Sequence, residues 1–166
     1  MSISCRIDAD VEPRLDKRDG RAISFLIVQS FSRSGANMPG TKPPTAATLR
    51  AYKLSRYNAG SIVAYVGKRP KGLSPGQGAR EIVLLGACNP YGRRLPDGWN
   101  ARMMSRLRIV LRRSSFIEAN GALGRWSESM LAASMDPRRA AVVARRFRQN
   151  AIVIIRENRR ATLKII

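Results

Sequence analysis

Histidine is absent from this chain of 166 residues, and acidic residues are scarce, with 11 Asp and Glu in total. The absence of histidine excludes Ser-His-Asp and Cys-His nucleophilic centres, and it excludes zinc or iron held by imidazole. Only two cysteines occur, Cys5 and Cys88, and they lie far apart in the sequence. No disulfide framework, metal site or cofactor is therefore expected, and the sequence favours a non-enzymatic protein in a reducing, cytoplasmic setting.

Long apolar runs are also missing. No stretch approaches the roughly 18–20 apolar residues that span a bilayer. The longest early run covers residues 22–28, and five acidic residues precede it, which is the wrong flank for a secretory signal. We therefore expect no membrane span and a cytoplasmic location.

Positive charge is what the chain has in excess. It carries 31 Lys and Arg, and its formal net charge is +20. Such a balance favours polyanionic partners, namely RNA, DNA, an anionic membrane surface or an acidic protein. The alternative is a compositional bias in which the arginines only form a solvated basic surface.

The sequence divides near residue 48. Residues 32–48 are rich in Gly, Pro, Ser and Thr and have no apolar periodicity, which is typical of a linker. Residues 1–47 are therefore predicted to be an extension that is disordered or partly artefactual, with Met38 as an alternative start. Residues 48–166 are predicted to form one domain, because they hold most of the regular apolar patterns.

Alternating helical and strand-like patterns follow in that domain. Strands are predicted at residues 61–66, 81–87, 115–119, 126–132, 151–155 and 161–166. Asp97 is interpreted as the N-cap of a helix that runs to about Arg113, and Asp136-Pro137 as the start of a second helix. Asn120-Gly121 is interpreted as a hairpin turn, and Gly76-Gln77-Gly78 as part of a plain loop.

This order predicts an α+β fold. From residue 81 it reads β-α-β-β-α-β, the split arrangement of ferredoxin-like folds, in which two helices pack on one face of a sheet. The prediction is a two-layer domain with this core, extra N-terminal strand or strands, and a C-terminal edge strand.

Several short motifs occur together in a fixed order. They are Ala51 to Tyr57, the strand that ends at Gly67, Gly86-Ala87-Cys88-Asn89-Pro90, Leu95-Pro96, Asn100-Ala101-Arg102, Trp126 to Ser129, and Phe147 to Ile152. With this set the chain resembles a family of small bacterial proteins known as domain of unknown function 3293, over about residues 49–158. The resemblance implies no activity, because none is assigned to that family. The family usually has an aromatic residue in place of Cys88, Glu in place of Trp99 and Gly in place of Arg148.

Uncharged polar residues at the ends of predicted elements form the first candidate site. If they converge on the turn after residue 88, they make a ligand-binding pocket of Asn89, Pro90, Asn100, Trp126, Glu128, Gln149 and Asn150. The alternative is structural, since Asn often caps turns and helices and a Trp often covers a core. Glu128 has no visible partner for acid–base catalysis, so no catalytic residue is assigned.

Arginines on the two predicted helices or on the segments that lead into them form the second candidate site. They are Arg93, Arg94, Arg102, Arg106, Arg113, Arg138, Arg145 and Arg148. Helices packed on the same sheet face would bring these side chains to one basic surface, which suits contacts to phosphates. The sequence thus favours a non-enzymatic module that binds RNA or DNA. A small-ligand or enzymatic domain and an interaction protein for an acidic partner are the alternatives, and the oligomeric state is left open.

Overall fold

The computed structural model describes residues 43–74 and 81–166. These ranges hold the helices α1 (Ala46–Leu54), α2 (Asp97–Leu111) and α3 (Pro137–Arg146). The strands are β1 (Arg56–Ala59), β2 (Ile62–Tyr65), β3 (Ile82–Gly86), β4 (Phe116–Leu123), β5 (Trp126–Ser134), β6 (Ala151–Ile155) and β7 (Thr162–Ile165). The predictions for residues 1–42 and for residues 76–78 lie outside the described residues.

All the strands form one antiparallel sheet with the order β2-β1-β4-β5-β3-β6-β7. The sheet curls until its two edges approach each other. Gly67 N donates to the carbonyl of Ala161 (2.8 Å), and Ala161 N donates to the carbonyl of Lys68 (2.9 Å). These bonds link the segment after β2 to the segment before β7, so part of each edge is protected.

The two faces of this curled sheet have separate apolar cores. The outer face packs against α2 and α3 through Leu107, Leu111 and Ala144, together with strand residues such as Val83 and Ile152. The inner face packs on itself, and its buried residues include Tyr57, Ile62, Leu84, Val153 and Ile155. Alternate residues of β3, β5 and β6 supply the two cores, as the period of a β-strand requires.

The α+β class is therefore correct, but the sheet is larger than expected. It has seven strands within the described residues, where six were predicted. The missed strand is β1, whose four residues pair with both β2 and β4. Its burial alternates, with Tyr57 and Ala59 inside, and four residues are too few for such a period to stand out in sequence.

One helix start was predicted correctly and the other was not. The Asp136 carboxylate accepts hydrogen bonds from Arg138 N (2.8 Å) and Arg139 N (3.1 Å), with Pro137 as the first helical residue, which confirms the cap of α3. Asp97 is instead the first residue inside α2, and Pro96 occupies the cap position without a side-chain bond. The helix also ends at Leu111, two residues before the predicted Arg113.

The predicted hairpin turn at Asn120-Gly121 is wrong, because both residues lie within β4 and pair with Ser129 and Glu128. The chain reverses at Gly124-Arg125, where Leu123 pairs with Trp126 and Gly124 has a φ of +59°. Gly at the first central position is typical of a type II′ turn. Gly121 has another role, since a Cβ there would lie 3.2 Å from the Tyr57 ring.

No helix among residues 43–74 and 81–166 is long and apolar enough to cross a membrane.

Arg148 ends the α3 region in a left-handed conformation, with a φ of +55°. Glycine adopts this conformation without the steric cost that a Cβ brings. Replacing Arg148 with glycine is therefore expected to raise the free energy of unfolding by about 1 kcal/mol in urea denaturation. The matched change Arg145→Gly lies inside α3 and is expected to lower the free energy of unfolding by about 1 kcal/mol. A loss of stability in both variants would contradict this explanation.

Candidate functional site

The turn after β3 is held by an unusual backbone. Asn89 has a φ of +47°, and Pro90 begins a single 3-10 turn that ends at Gly92. Asn tolerates the left-handed region better than most residues because its side chain bonds locally. Here the Asn89 Oδ1 accepts from Leu95 N at 3.0 Å, so the side chain closes the loop between β3 and α2.

Asn100, near the start of α2, stabilises the turn at Asn89 through its side-chain amide. Its Oδ1 accepts from Asn89 N (3.0 Å), and its Nδ2 donates to the Asn89 Oδ1 (3.1 Å) and to the carbonyl of Leu95 (3.2 Å). Asn100 is only 5% exposed. The two asparagines therefore do converge, as the sequence suggested, and much of their hydrogen-bonding capacity is used within the turn.

Gln149 joins the same turn from the end of α3. Its Nε2 donates to the carbonyls of Cys88 (2.8 Å) and Phe147 (3.2 Å). The Oε1 of Gln149 lies against Gly86, where a Cβ would be 3.0 Å away. Glycine at position 86 thus makes room for this amide beside the inner face of the sheet.

Asn150 faces α1. Its Nδ2 donates to the Tyr52 hydroxyl at 3.1 Å, and its backbone carbonyl accepts from Ile166 N at 3.0 Å. The residue is 8% exposed. Asn150 was expected to converge on the turn, and its amide does lie beside it, since a Cβ at Gly92 would be 3.7 Å from the Asn150 Nδ2. The residue also connects the start of β6 to α1 and to Ile166.

Glu128 is the one acidic side chain of this cluster. Its Oε1 accepts from the Asn89 Nδ2 at 3.3 Å. Burial disfavours the charged carboxylate and raises the pKa of Glu128 to about 7, although the Asn89 hydrogen bond opposes the shift. Burial likewise raises the pKa of Tyr57 to about 12. A carboxyl group that titrates near neutral pH in a concave site is a recognised sign of function.

These groups meet at a small cavity at one end of the curled sheet. Its volume is about 40 Å³, which is room for roughly three water molecules. Its polar lining includes Tyr52, Glu128, Gln149 and Asn150, and its apolar lining includes Met130, Val153 and Leu163. Trp126 also lines it and is 45% exposed, so the indole is not the core lid that the structural alternative supposed.

Asn89, Pro90 and Asn100 do not line this cavity. They lie outside its lining, where the Asn89 amide donates a hydrogen bond to the Glu128 carboxylate and the Asn100 amide donates one to Asn89. Sequence reasoning missed Tyr52 and Tyr57 as cavity residues, and also Gly86. The segment from Ala51 to Tyr57 entered the sequence analysis only as one motif of the family resemblance.

The arginines of the second candidate site lie on or beside α2 and α3. Both α2 and α3 pack on the outer face of the sheet, and all eight arginines of the second candidate site are exposed. Within the described ranges, none of the eight forms an ion pair. Arg108, on the same helix, does so, because it binds the Glu118 carboxylate through two nitrogens at 2.9 and 3.0 Å.

Residues 85–152 match the model of the family described as "Protein of unknown function (DUF3293)". The resemblance to this family is thereby shown. The match contains the last two residues of β3, the Asn89 turn, both α2 and α3, and every residue of the two candidate sites. The motifs at residues 51–67 lie outside it. No curated protein and no solved structure matches the chain.

The chemistry open to the cluster is limited. In the part of the chain that the structure describes, no group of three Cys, Asp or Glu residues could hold a metal ion. Glu128 is the one carboxyl group that lines the cavity, so the paired carboxylates of glycosidases have no counterpart there. The arrangement is suited to binding through hydrogen-bond acceptors and an aromatic surface.

Proposed function

We propose that this protein binds nucleic acid, RNA or DNA, through the basic helical face. This name denotes the eight exposed arginines Arg93, Arg94, Arg102, Arg106, Arg113, Arg138, Arg145 and Arg148 on and beside α2 and α3. The observation that carries the proposal is that both helices share one sheet face, with these arginines exposed and free of ion pairs within the described ranges.

Unpaired guanidinium groups are available to phosphates without breaking an existing contact. Acidic residues that would compete for them are few, since the whole chain has 11 Asp and Glu against 31 Lys and Arg. An arginine can bind phosphate through two nitrogens at once, which a lysine cannot. Such contacts give affinity that depends on salt and carry no sequence information by themselves.

The proposal is tested with a triple variant of the helical face. Arg102→Gln, Arg106→Gln and Arg145→Gln together are expected to weaken binding to a fluorescent 20-nucleotide oligomer by roughly tenfold or more at low salt. Glutamine retains a good helix propensity, so the helices should persist. Fluorescence anisotropy with RNA and DNA, each single-stranded and duplex, measures the loss.

A matched control removes the same charge elsewhere. Arg69, Lys71 and Arg159 are exposed and lie outside α2 and α3, so their replacement by glutamine is expected to change affinity less. Equal losses of affinity in both triple variants would show that binding depends on the net charge and not on the basic helical face. Binding of an acidic protein but of no oligonucleotide would favour the alternative of an acidic protein partner.

We infer that β3-α2-β4-β5-α3-β6 is a split ferredoxin-like core to which β1, β2 and β7 are added. The neighbours β4-β5-β3-β6 in the sheet and the packing of both helices on one face support it. A cytoplasmic location stays a prediction from the cysteine content of the sequence.

A further inference from the structure

We propose that the cavity beside Glu128 receives the edge of an unpaired guanine base, with Trp126 as its stacking surface. This inference rests on the proposed function and adds that the protein prefers one base, guanine, in the bound strand. The basic helical face would hold the strand by its phosphates, and the cavity would read one base of that strand.

Acceptors dominate the polar lining. The Glu128 carboxylate uses Oε1 for a single bond to the Asn89 Nδ2. Gln149 donates both protons of its amide nitrogen to backbone carbonyls, which leaves its Oε1 as an acceptor beside Gly86. The Tyr52 hydroxyl accepts from Asn150 and keeps its own proton as a donor. A ligand that contacts Glu128 and Gln149 must therefore bring hydrogen-bond donors on neighbouring atoms.

Guanine presents such a set. Its Watson–Crick edge carries N1–H and the N2 amino group side by side, which matches the two oxygens of a carboxylate. Adenine has the N6 amino donor next to the N1 acceptor, and uracil has the single donor N3–H between two carbonyl acceptors. Proteins read unpaired bases by hydrogen bonds to this edge combined with stacking on an aromatic ring.

The size of the cavity limits how the base sits. About 40 Å³ admits the edge of a base and excludes a whole nucleoside. Trp126 lies two residues before Glu128 on the same strand, so both side chains point to the same face of the sheet. Because the indole is 45% exposed, it can stack on the part of the base that stays outside, and such stacking tolerates any base.

Two arginines are adjacent in sequence to residues that line the cavity. Arg125 precedes Trp126, and Arg148 precedes Gln149, and both arginines are exposed. We expect them to contact the phosphates on either side of a bound nucleotide.

The test compares heptamers of equal charge, U3GU3, U3AU3, U3IU3 and U7, in anisotropy titrations at pH 8. Glu128 is expected to be mainly ionised there because its pKa is about 7. We expect U3GU3 to bind about tenfold more tightly than U3AU3. Inosine lacks the N2 amino group and should give an intermediate affinity.

Three protein variants complete the test. Glu128→Gln is expected to abolish the preference for guanine over adenine. Trp126→Ala is expected to weaken U3GU3 binding, and Trp126→Phe to restore most of it. The inosine comparison changes only the ligand, so it needs no assumption about how a variant folds.

Each outcome has a distinct meaning. Equal affinity for all four heptamers in the wild-type protein, or a guanine preference that survives in Glu128→Gln, would overturn the guanine site. In those cases binding of U7 would leave the proposed function standing. Failure of every heptamer to bind would overturn the guanine site and, together with failure of the 20-nucleotide oligomers, the proposed function as well.

Discussion

Replacing Asn100 with aspartate is expected to lower the free energy of unfolding by about 3 kcal/mol at pH 7. The Nδ2 of Asn100 donates to the Asn89 Oδ1 and to the carbonyl of Leu95. An oxygen in its place turns both bonds into contacts between acceptors. The position is 5% exposed, so water cannot easily compensate, and an ionised carboxylate there is costly.

Urea denaturation of the wild-type and variant proteins measures this loss. The same change at Asn158, which is exposed, serves as the control and is expected to alter stability by less than about 0.5 kcal/mol. If Asn100→Asp were as stable as the wild type, the Asn89–Asn100 bonds would not hold the turn. The position of the Glu128 carboxylate, which accepts from Asn89, would then need another explanation.

The stability of the protein is expected to fall as the pH rises from 5 to 8, and Glu128 is the reason. Burial raises the pKa of Glu128 from 4.5 to about 7 in the folded state. Between these two values the folded protein holds the proton more tightly than the unfolded chain does. Protonation therefore favours folding at acidic pH, and that advantage is lost as the pH passes through about 7.

The expected decrease is on the order of 3 kcal/mol, since one pKa unit corresponds to about 1.4 kcal/mol. The chain has no histidine, the side chain that normally titrates in this range, so the signal should be clear. Glu128→Gln, which cannot ionise, should show little change from pH 5 to 8 and should exceed the wild type in stability at pH 8. Glu157→Gln is the control and should retain the slope. A wild-type slope near zero would show that Glu128 is solvated in the folded protein.

Much of the fold could be predicted because its strongest signals are local. The run Ile82 to Gly86 and the run Ala151 to Ile155 are buried strands, and Asp136-Pro137 starts α3 as its chemistry requires. The approach of Asn89 and Asn100 was also foreseen, because both lie where an element ends or begins. Their mutual bonds depend on the left-handed backbone at Asn89, which the sequence does not display.

Features that depend on long-range pairing could not be predicted. The turn at Gly124-Arg125 competes with Asn120-Gly121, which has the stronger local turn signal. β4 nevertheless continues through Asn120-Gly121, because eight consecutive residues from Phe116 to Leu123 pair with β5. The curl of the sheet has the same origin, since the contact of Gly67 with Ala161 joins segments that are distant in sequence. That curl creates the cavity, so Tyr52 and Tyr57 could be assigned to it only from the structure.

The most direct test of nucleic-acid binding by the basic helical face is the salt dependence of affinity. The logarithm of the association constant for a single-stranded 20-nucleotide oligomer is plotted against the logarithm of salt concentration. We predict a steep negative slope for the wild type. Because each phosphate contact on a single strand contributes about −0.7 to the slope, the Arg102, Arg106 and Arg145 triple variant should lose about 2 from its magnitude. A flat wild-type slope, or identical slopes for the two proteins, would contradict the account.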